Sequence, residues 1–452
     1  MSALPAAPDA GHAQRRAALA AALKARGPGP IRLRKDTSNL FRDRAHEAGN
    51  GLDARAFDHV LAVDPSAGLV EAEGLVTYEA LTAACLARGV MPAVVPELKT
   101  ITLGGAAAGV GIEASSFRHG LVHESLVEID VLTGTGEIVT ARRDNEHADL
   151  FYGFPNSYGT LGYALRLVAR TAPVLPYLAL RHARFADAAA FFAALAAACA
   201  SDADFVDAVA FGAGDLVLNT ARFVAAAPYV SDYTYEHVFY RSLRTREQDY
   251  LTAHDFIWRW DTDWFWCSKN VGAQHPLVRR LFGRRRLGSR TYQKIMRWNA
   301  RWNLTGRFDR LRHGHRESVI QDVDIPLADA PAFLEFFLRE VPVRPVWLCP
   351  LRTGADAARF ALYPTRADSL YVNFGFWDVV RTAEEHPRGH FNRLVEGEVA
   401  RLHGIKSLYS ESYYSREAFD AAYNGAAWQA LKRRYDPDAA FPGLYEKCVL
   451  RH

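Results

Sequence analysis

The stretch TLGGAAAGVGIEASSFRHGL, Thr102 to Leu121, decides how this chain is read. Gly104, Gly105, Ala106, Ala107, Ala108, Gly109 and Gly111 leave its first half almost bare of side chains. Ser115, Ser116 and then His119-Gly120 follow. Bare main chain exposes N–H groups and lets a bulky anion approach closely. The pyrophosphate of a dinucleotide is such an anion; a Gly/Ala packing loop is the plainer alternative.

A Rossmann fingerprint is imitated inside it. Gly109-Val110-Gly111-Ile112-Glu113-Ala114 fits G-x-G-x-x-G/A, and Asp130 stands near the usual acidic offset. That motif requires a helix directly after the turn. Here Ser115 to Gly120 interrupts any helix, and Leu126-Val127-Glu128-Ile129-Asp130-Val131-Leu132 resumes as a strand. A strand in that place predicts a different dinucleotide cradle.

Outward from this stretch, the pattern is mixed. His12 to Ala25 reads as an Ala-rich helix, and Ile31 to Arg34 as a short strand. Lys35 to Arg42, KDTSNLFR, is a polar loop of hydroxyl, amide and cationic groups suited to phosphate. It reads equally well as an ordinary turn. Phe57–Val63 and Leu69–Glu73 alternate around the turn Asp64-Pro65-Ser66-Ala67-Gly68, which predicts a hairpin. Thr77 is placed to cap a helix running to about Ala87. A second glycine cluster, Gly159-Thr160-Leu161-Gly162, runs into the β-like Ala164–Arg170.

Composition narrows the class. With 452 residues, two or three domains are expected. Net charge is only +3, with no nucleic-acid recognition module, so nucleic acid is not expected as a partner. The cysteines, Cys85, Cys199, Cys267, Cys349 and Cys448, are scattered without C-x-x-C spacing, which predicts a reducing, cytoplasmic setting and no metal site. No signal peptide and no membrane-spanning run are recognised.

Two later stretches carry chemistry. From Asp255 to Asn303, Phe256, Trp258, Trp260, Trp264, Phe265, Trp266, Trp298 and Trp302 interleave with many arginines. Indoles among basic groups suit peripheral contact with an anionic membrane surface; aromatic core packing with a solvated basic face is the alternative. Lys406 to Tyr414 alternates like a strand, which would place Tyr409, Glu411 and Tyr413 on one face as proton donors and acceptors. His254-Asp255 is a further acid–base candidate. For each, a purely structural role is the competing reading.

Taken together, the order K-x-TSNLF, PEL-x-x-x-T-x-GG-x-x-x-G-x-GIE-x-SS-x-x-x-GL, DLFY and GTLG resembles flavoproteins of the vanillyl-alcohol oxidase type. Within them the chain is similar to the Δ24-sterol reductase (seladin/diminuto) family and its bacterial lipid-modifying relatives. YLTAHD, HP with LFG, VIQD, PVWLCP and AFPGLYEK extend the likeness over roughly residues 30–450.

The resemblance implies an α+β fold: a two-part, PCMH-type FAD-binding domain with an inserted α+β cap. The divisions expected are a tail and helix (1–28), the FAD-binding domain (29–175), the cap (176–405) and a C-terminal segment returning to the flavin (406–452). It implies FAD contacts at Lys35, Thr37, Ser38, Asn39, Leu40 and Phe41, at Thr102, Gly104, Gly105, Gly109, Gly111, Ser115, Ser116 and Gly120, and at Gly159, Thr160, Leu161 and Gly162. NADPH is the implied electron donor. Two departures stand out: the N-terminal membrane segment of the sterol reductases is not seen, and the loop Lys35–Arg42 has no histidine, so the FAD is expected to be non-covalent. The implied reaction is hydride transfer from flavin N5 to a carbon–carbon double bond of a lipid, a sterol side chain or a methylene-branched acyl chain, with a side-chain proton. Desaturation, oxidation of an alcohol or hydroxy acid, and lipid binding without catalysis are the other functions considered.

Overall fold

The structure is a computed structural model that describes residues 10–26, 29–36, 51–302 and 315–451. The predicted hairpin is present: β3 (Val60–Asp64) pairs antiparallel with β4 (Leu69–Glu73). It belongs to a six-stranded sheet with β5 (Val90–Pro92), β6 (Leu126–Leu132), β7 (Ile138–Arg142) and β8 (Tyr163–Pro173). The order is β3-β4-β8-β6-β7, with β5 on the far end of β8. The strand expected after the glycine stretch is thus β6, beside β8. Before this sheet, β1 (Arg32–Arg34) and β2 (Gly51–Asp53) form a small parallel pair.

The helix Tyr78–Leu86 begins as expected, with the Thr77 hydroxyl accepting from Ala80 N. The glycine stretch departs from expectation. It is not a loop throughout: Leu103–Ala108 is helical, with Thr102 Oγ1 accepting from Gly105 N. The alanines favour helix, and Thr102 caps it. Gly104 is where this helix crosses the hairpin, since a Cβ there would stand 2.7 Å from the Gly74 carbonyl oxygen.

The N-terminal helix, Ala10–Lys24, is held to this sheet by two buried carboxylates, Asp130, 3.2 Å from Arg16 Nη1, and Glu73. Glu73 Oε1 lies 2.6 Å from His12 Nδ1 and 2.7 Å from Arg15 Nη2, while Oε2 accepts from His59 N at 3.1 Å. Burial acts to raise the Glu73 pKa, but the hydrogen bonds from His12, Arg15 and His59 outweigh it and bring it down to about 2. A carboxylate depressed in the fold stabilises it above its unfolded pKa, and that stability is lost as pH falls through the folded value. Glu73→Gln is therefore expected to cost about 2–3 kcal/mol near neutral pH. The difference should vanish between about 4.5 and 2, as urea melts across that pH range would show.

The second sheet has eight antiparallel strands. They are β9 (Tyr177–Phe185), β10 (Phe205–Gly212), β11 (Asp215–Val224), β12 (Gln248–Thr252), β13 (His315–Pro326), β14 (Val346–Arg352), β15 (Leu370–Thr382) and β16 (Ile405–Lys406). Their order is β12-β9-β11-β10-β14-β15-β13-β16. Period-two alternation divides its faces. Val319, Val323, Ile325, Val372, Phe374 and Phe376 pack with the helices Ala188–Cys199, Ala330–Glu340 and His390–Arg401. The intervening Asp322, Asp324, Asn373 and Trp377 face the other way, into a cavity shared with the first sheet's domain.

One further expectation is corrected, and one open alternative is narrowed. Pairing of the C-terminal segment with β13 stops at Lys406, so Leu408–Tyr414 is not a strand. The fully buried Lys406 ammonium donates to Glu396 and to the Glu411 carbonyl oxygen at 2.6 Å, folding the chain back on itself. The aromatic stretch is mostly core: Phe256, Trp258, Trp260, Trp264, Phe265 and Trp266 are buried, and of its described aromatic side chains only Trp298 stands out in solvent. Trp302 lies among side chains outside the description. Among the described residues no helix is long and apolar enough to cross a membrane.

Candidate active site

A cavity of about 390 Å³ lies between the glycine stretch and the inner face of the second sheet. One end is main chain and cations. Thr102, Gly104, Gly105, Gly109 and Gly111 line it, with Gly159 and Gly162 of the second cluster and Lys35 beyond β1. Arg32, Lys447 and Arg451 add positive charge. Gly159 and Gly162 sit at φ +75° and +147°, which side chains rarely tolerate, and the wall there stays bare. A bare wall with cations nearby fits the pyrophosphate of FAD.

The other implied contacts lie behind this wall. Ser115 Oγ donates to Ala93 O at 2.8 Å, and Ser116 Oγ accepts from Glu113 N at 3.1 Å. Gly120, at φ +71°, ends the short helix Ser116–His119. Thr160 Oγ1 donates to Ser157 O and accepts from Trp428 Nε1, while Leu161 is in the core. These five shape the cradle from outside the cavity lining. Thr37, Ser38, Asn39, Leu40 and Phe41 lie outside the described residues.

The polar centre of the cavity is built on β13, β15 and the C-terminal segment. Tyr409 lines it, its oxygen accepting from Trp377 Nε1 at 2.8 Å. Its hydroxyl also bonds Asp322. Asp322 Oδ1 is buried with no partner among the described residues. Directly across the strand pair is Gly375, where a Cβ would stand 2.7 Å from that oxygen. Two residues on, Asp324 accepts from Tyr363 OH at 2.6 Å and Asn373 Nδ2 at 2.7 Å. Burial raises Asp322 to about 7, against the bond from Tyr409, and raises Asp324 to about 6. Burial, with the Asp322 charge beside it, holds the Tyr409 phenol well above its ordinary value. Tyr409 thus keeps its proton at neutral pH, next to a carboxyl near its midpoint.

The other acid–base candidates are placed differently. Glu411 is engaged by Tyr413 OH at 2.6 Å and by Arg451 Nη1 at 3.2 Å, so its link to the cavity runs through Arg451. Burial and the Glu411 charge push Tyr413 up to about 12. His254 is exposed, 3.0 Å from Asp255, and is not part of the lining. Sequence reasoning named Tyr409 but missed Asp322, Asp324 and Trp377 as its neighbours. The signal was the i, i+2 aspartates of VIQDVDI, whose alternation puts both on one face.

Another part of the lining is apolar and largely aromatic: Leu98, Trp264, Phe265, Trp347 and Trp377. Trp264, Phe265 and Trp266 are consecutive residues at φ 51°, 46° and 57°, a strained run for side chains of this size. Stacking of Trp264 on Tyr292 at 4.8 Å, and of Phe265 on Trp260 at 5.3 Å, holds them there. Behind this wall Arg259 is buried among three carboxylates. Its guanidinium is 2.6 Å from Glu97, 2.9 Å from Asp207 and 3.8 Å from Glu113. Burial raises the pKa of Glu97 and Glu113, and the Arg259 charge acts against it.

The family described as FAD binding domain matches residues 11–142, which contain the glycine stretch. With the cavity, this defines the class: the chain is an FAD-dependent oxidoreductase with a PCMH-type cofactor domain and an α+β cap. Over most of its length it resembles the Δ24-sterol reductases. It is 26% identical to the Delta(24)-sterol reductase of Homo sapiens over 417 residues, 86% of this chain and 75% of that one. Against that of Pisum sativum it is 25% identical over 439 residues, 88% of this chain and 76% of the relative. A shorter likeness, 36% over 107 residues, is to cytokinin dehydrogenase 7 of Oryza sativa subsp. japonica, covering 23% of this chain and 20% of that one.

Proposed function

We propose that this oxidoreductase reduces an isolated carbon–carbon double bond in a lipid, with Tyr409 as the proton donor and NADPH as the electron source. The observation carrying the reading is the Tyr409 hydroxyl, held between Trp377 Nε1 and Asp322 in the cavity that bare backbone and aromatic side chains line together. FAD, bound non-covalently along the glycine wall, supplies hydride chemistry. The protein supplies the rest. Leu98, Trp264, Phe265 and Trp347 enclose an apolar chain and exclude water, and they offer no clamp for a carboxylate. Trp377 orients the phenol, and Asp322 in its protonated form returns a proton to it. Arg451, kept in place by Glu411, adds charge at the cofactor end.

The test is anaerobic incubation of FAD-loaded protein and NADPH with two lipids: a sterol with an unsaturated side chain and a phospholipid with a methylene-branched acyl chain. Mass spectrometry should find one of them heavier by two hydrogens, with NADPH consumed in step. NADPH oxidation with neither lipid altered, or turnover of small alcohols instead, would sink the reading.

A further inference from the structure

The helix Ser289–Trp302 is a wall of the cavity on one side. Tyr292 stacks on the lining residue Trp264, and Gln293, itself in the lining, donates to Thr100 Oγ1 at 2.6 Å. Its other side is an exposed stripe at helical spacing, Arg290, Lys294 and Trp298. The preceding helix, Pro276–Phe282, exposes two leucines one turn apart. Leu277 is 62% and Leu281 83% accessible, and Trp298 is 57%. Between the helices runs Arg284-Arg285-Arg286, all exposed. Arg280, Arg284 and Arg290 pair with Glu236, Asp232 and Glu79. Arg285, Arg286 and Lys294 have no acidic partner among the described residues.

Exposed large apolar side chains are otherwise scarce among the described residues, and three of them fall on these two helices. Leucines and an indole projecting beside unpaired cations are what an anionic bilayer accepts: the apolar groups enter the headgroup boundary and the cations meet phosphate. A protein partner of matching charge would need an acidic, apolar face; a bilayer meets both demands, and an apolar cavity opens on the inner side of the same helix.

We propose that residues 276–298 form a docking surface for an anionic phospholipid bilayer, so that the helix Ser289–Trp302 stands between membrane and cavity as the lipid's entry wall. The entry role rests on the lipid reading above; the docking does not. The core indoles of the same stretch take no part in it.

Flotation of the FAD-loaded protein with phosphatidylcholine vesicles, with and without phosphatidylglycerol, tests this. Binding is expected on the anionic vesicles and should weaken with salt. Leu277→Ser with Leu281→Ser and Trp298→Ser should lower the vesicle affinity about tenfold or more. Arg285→Glu with Arg286→Glu should lower it about as far, on anionic vesicles only. Flavin content and turnover of detergent-dispersed lipid should be unchanged in both. The proposal is overturned if the parent protein ignores anionic vesicles, or if both variants bind them as the parent does. It is equally overturned if the parent is a dimer that the leucine variant makes monomeric while neither binds vesicles. Expected vesicle binding without reduction of any lipid would uphold the docking and remove the substrate reading alone.

Discussion

Tyr409→Phe should leave the fold and the bound FAD intact and slow lipid reduction by about 10²–10⁴, the usual consequence of losing a general acid. The phenylalanine keeps the ring in the cavity wall and removes only the hydroxyl that Trp377 and Asp322 hold. Reduction of the bound flavin by NADPH, followed anaerobically at its absorbance band, should proceed at nearly the parent rate, because no proton is delivered to lipid in that half. Asp322→Asn should act more mildly and alter the pH profile. The groups around Asp322 are Tyr409 from the C-terminal segment and Asp324 on its own strand. Burial first, with the Asp324 charge, raises Asp322 to about 7, so it carries its proton below that pH and loses it above. Parent turnover should therefore decline as pH rises through about 7, and the Asn variant should lack that limb. Equal lipid turnover in parent and Tyr409→Phe would make the phenol a structural group. An unchanged limb in Asp322→Asn would assign it elsewhere.

Arg259→Met should destabilise the protein by about 3–5 kcal/mol, since it leaves buried acidic groups without their cation. Glu97, Asp207 and Glu113 all surround that guanidinium, and Trp347 Nε1 also bonds Asp207 at 3.3 Å. Methionine fills much of the volume under Phe256, whose ring lies 4.0 Å from the guanidinium carbon. The loss is therefore electrostatic more than steric. Adding Asp207→Asn and Glu97→Gln to Arg259→Met should recover much of the urea midpoint, because the burden of buried charge is then removed on both sides. If Arg259→Met alone melts like the parent, the hub contributes nothing to stability. The hub lies directly behind Trp347 and Phe265, so a weakened hub should also loosen the aromatic part of the cavity lining. A lower affinity for lipid with flavin content preserved would report that.

What the chain determined by itself is local. Thr77 capped its helix, Asp64-Pro65-Ser66-Ala67-Gly68 turned its hairpin, and Leu126–Leu132 became a strand, because caps, turns and period-two runs act over a few residues. The order of its motifs also carried the cofactor class. Tertiary structure decided the rest. Glycine and alanine in TLGGAAAG are compatible with loop or helix, and the crossing against Gly74, with the Thr102 cap, selected a helical turn. Indoles suit both a core and a membrane surface, so only packing could bury Trp258, Trp260, Trp264 and Trp266 and leave Trp298 outside. The alternation of Lys406–Tyr414 lost its strand because a buried ammonium at Lys406 claimed the Glu411 carbonyl. Most of all, the pairing of Asp322 with Tyr409 joins segments far apart in the chain. Such contacts depend on how two sheets are set against each other, which no local spacing encodes.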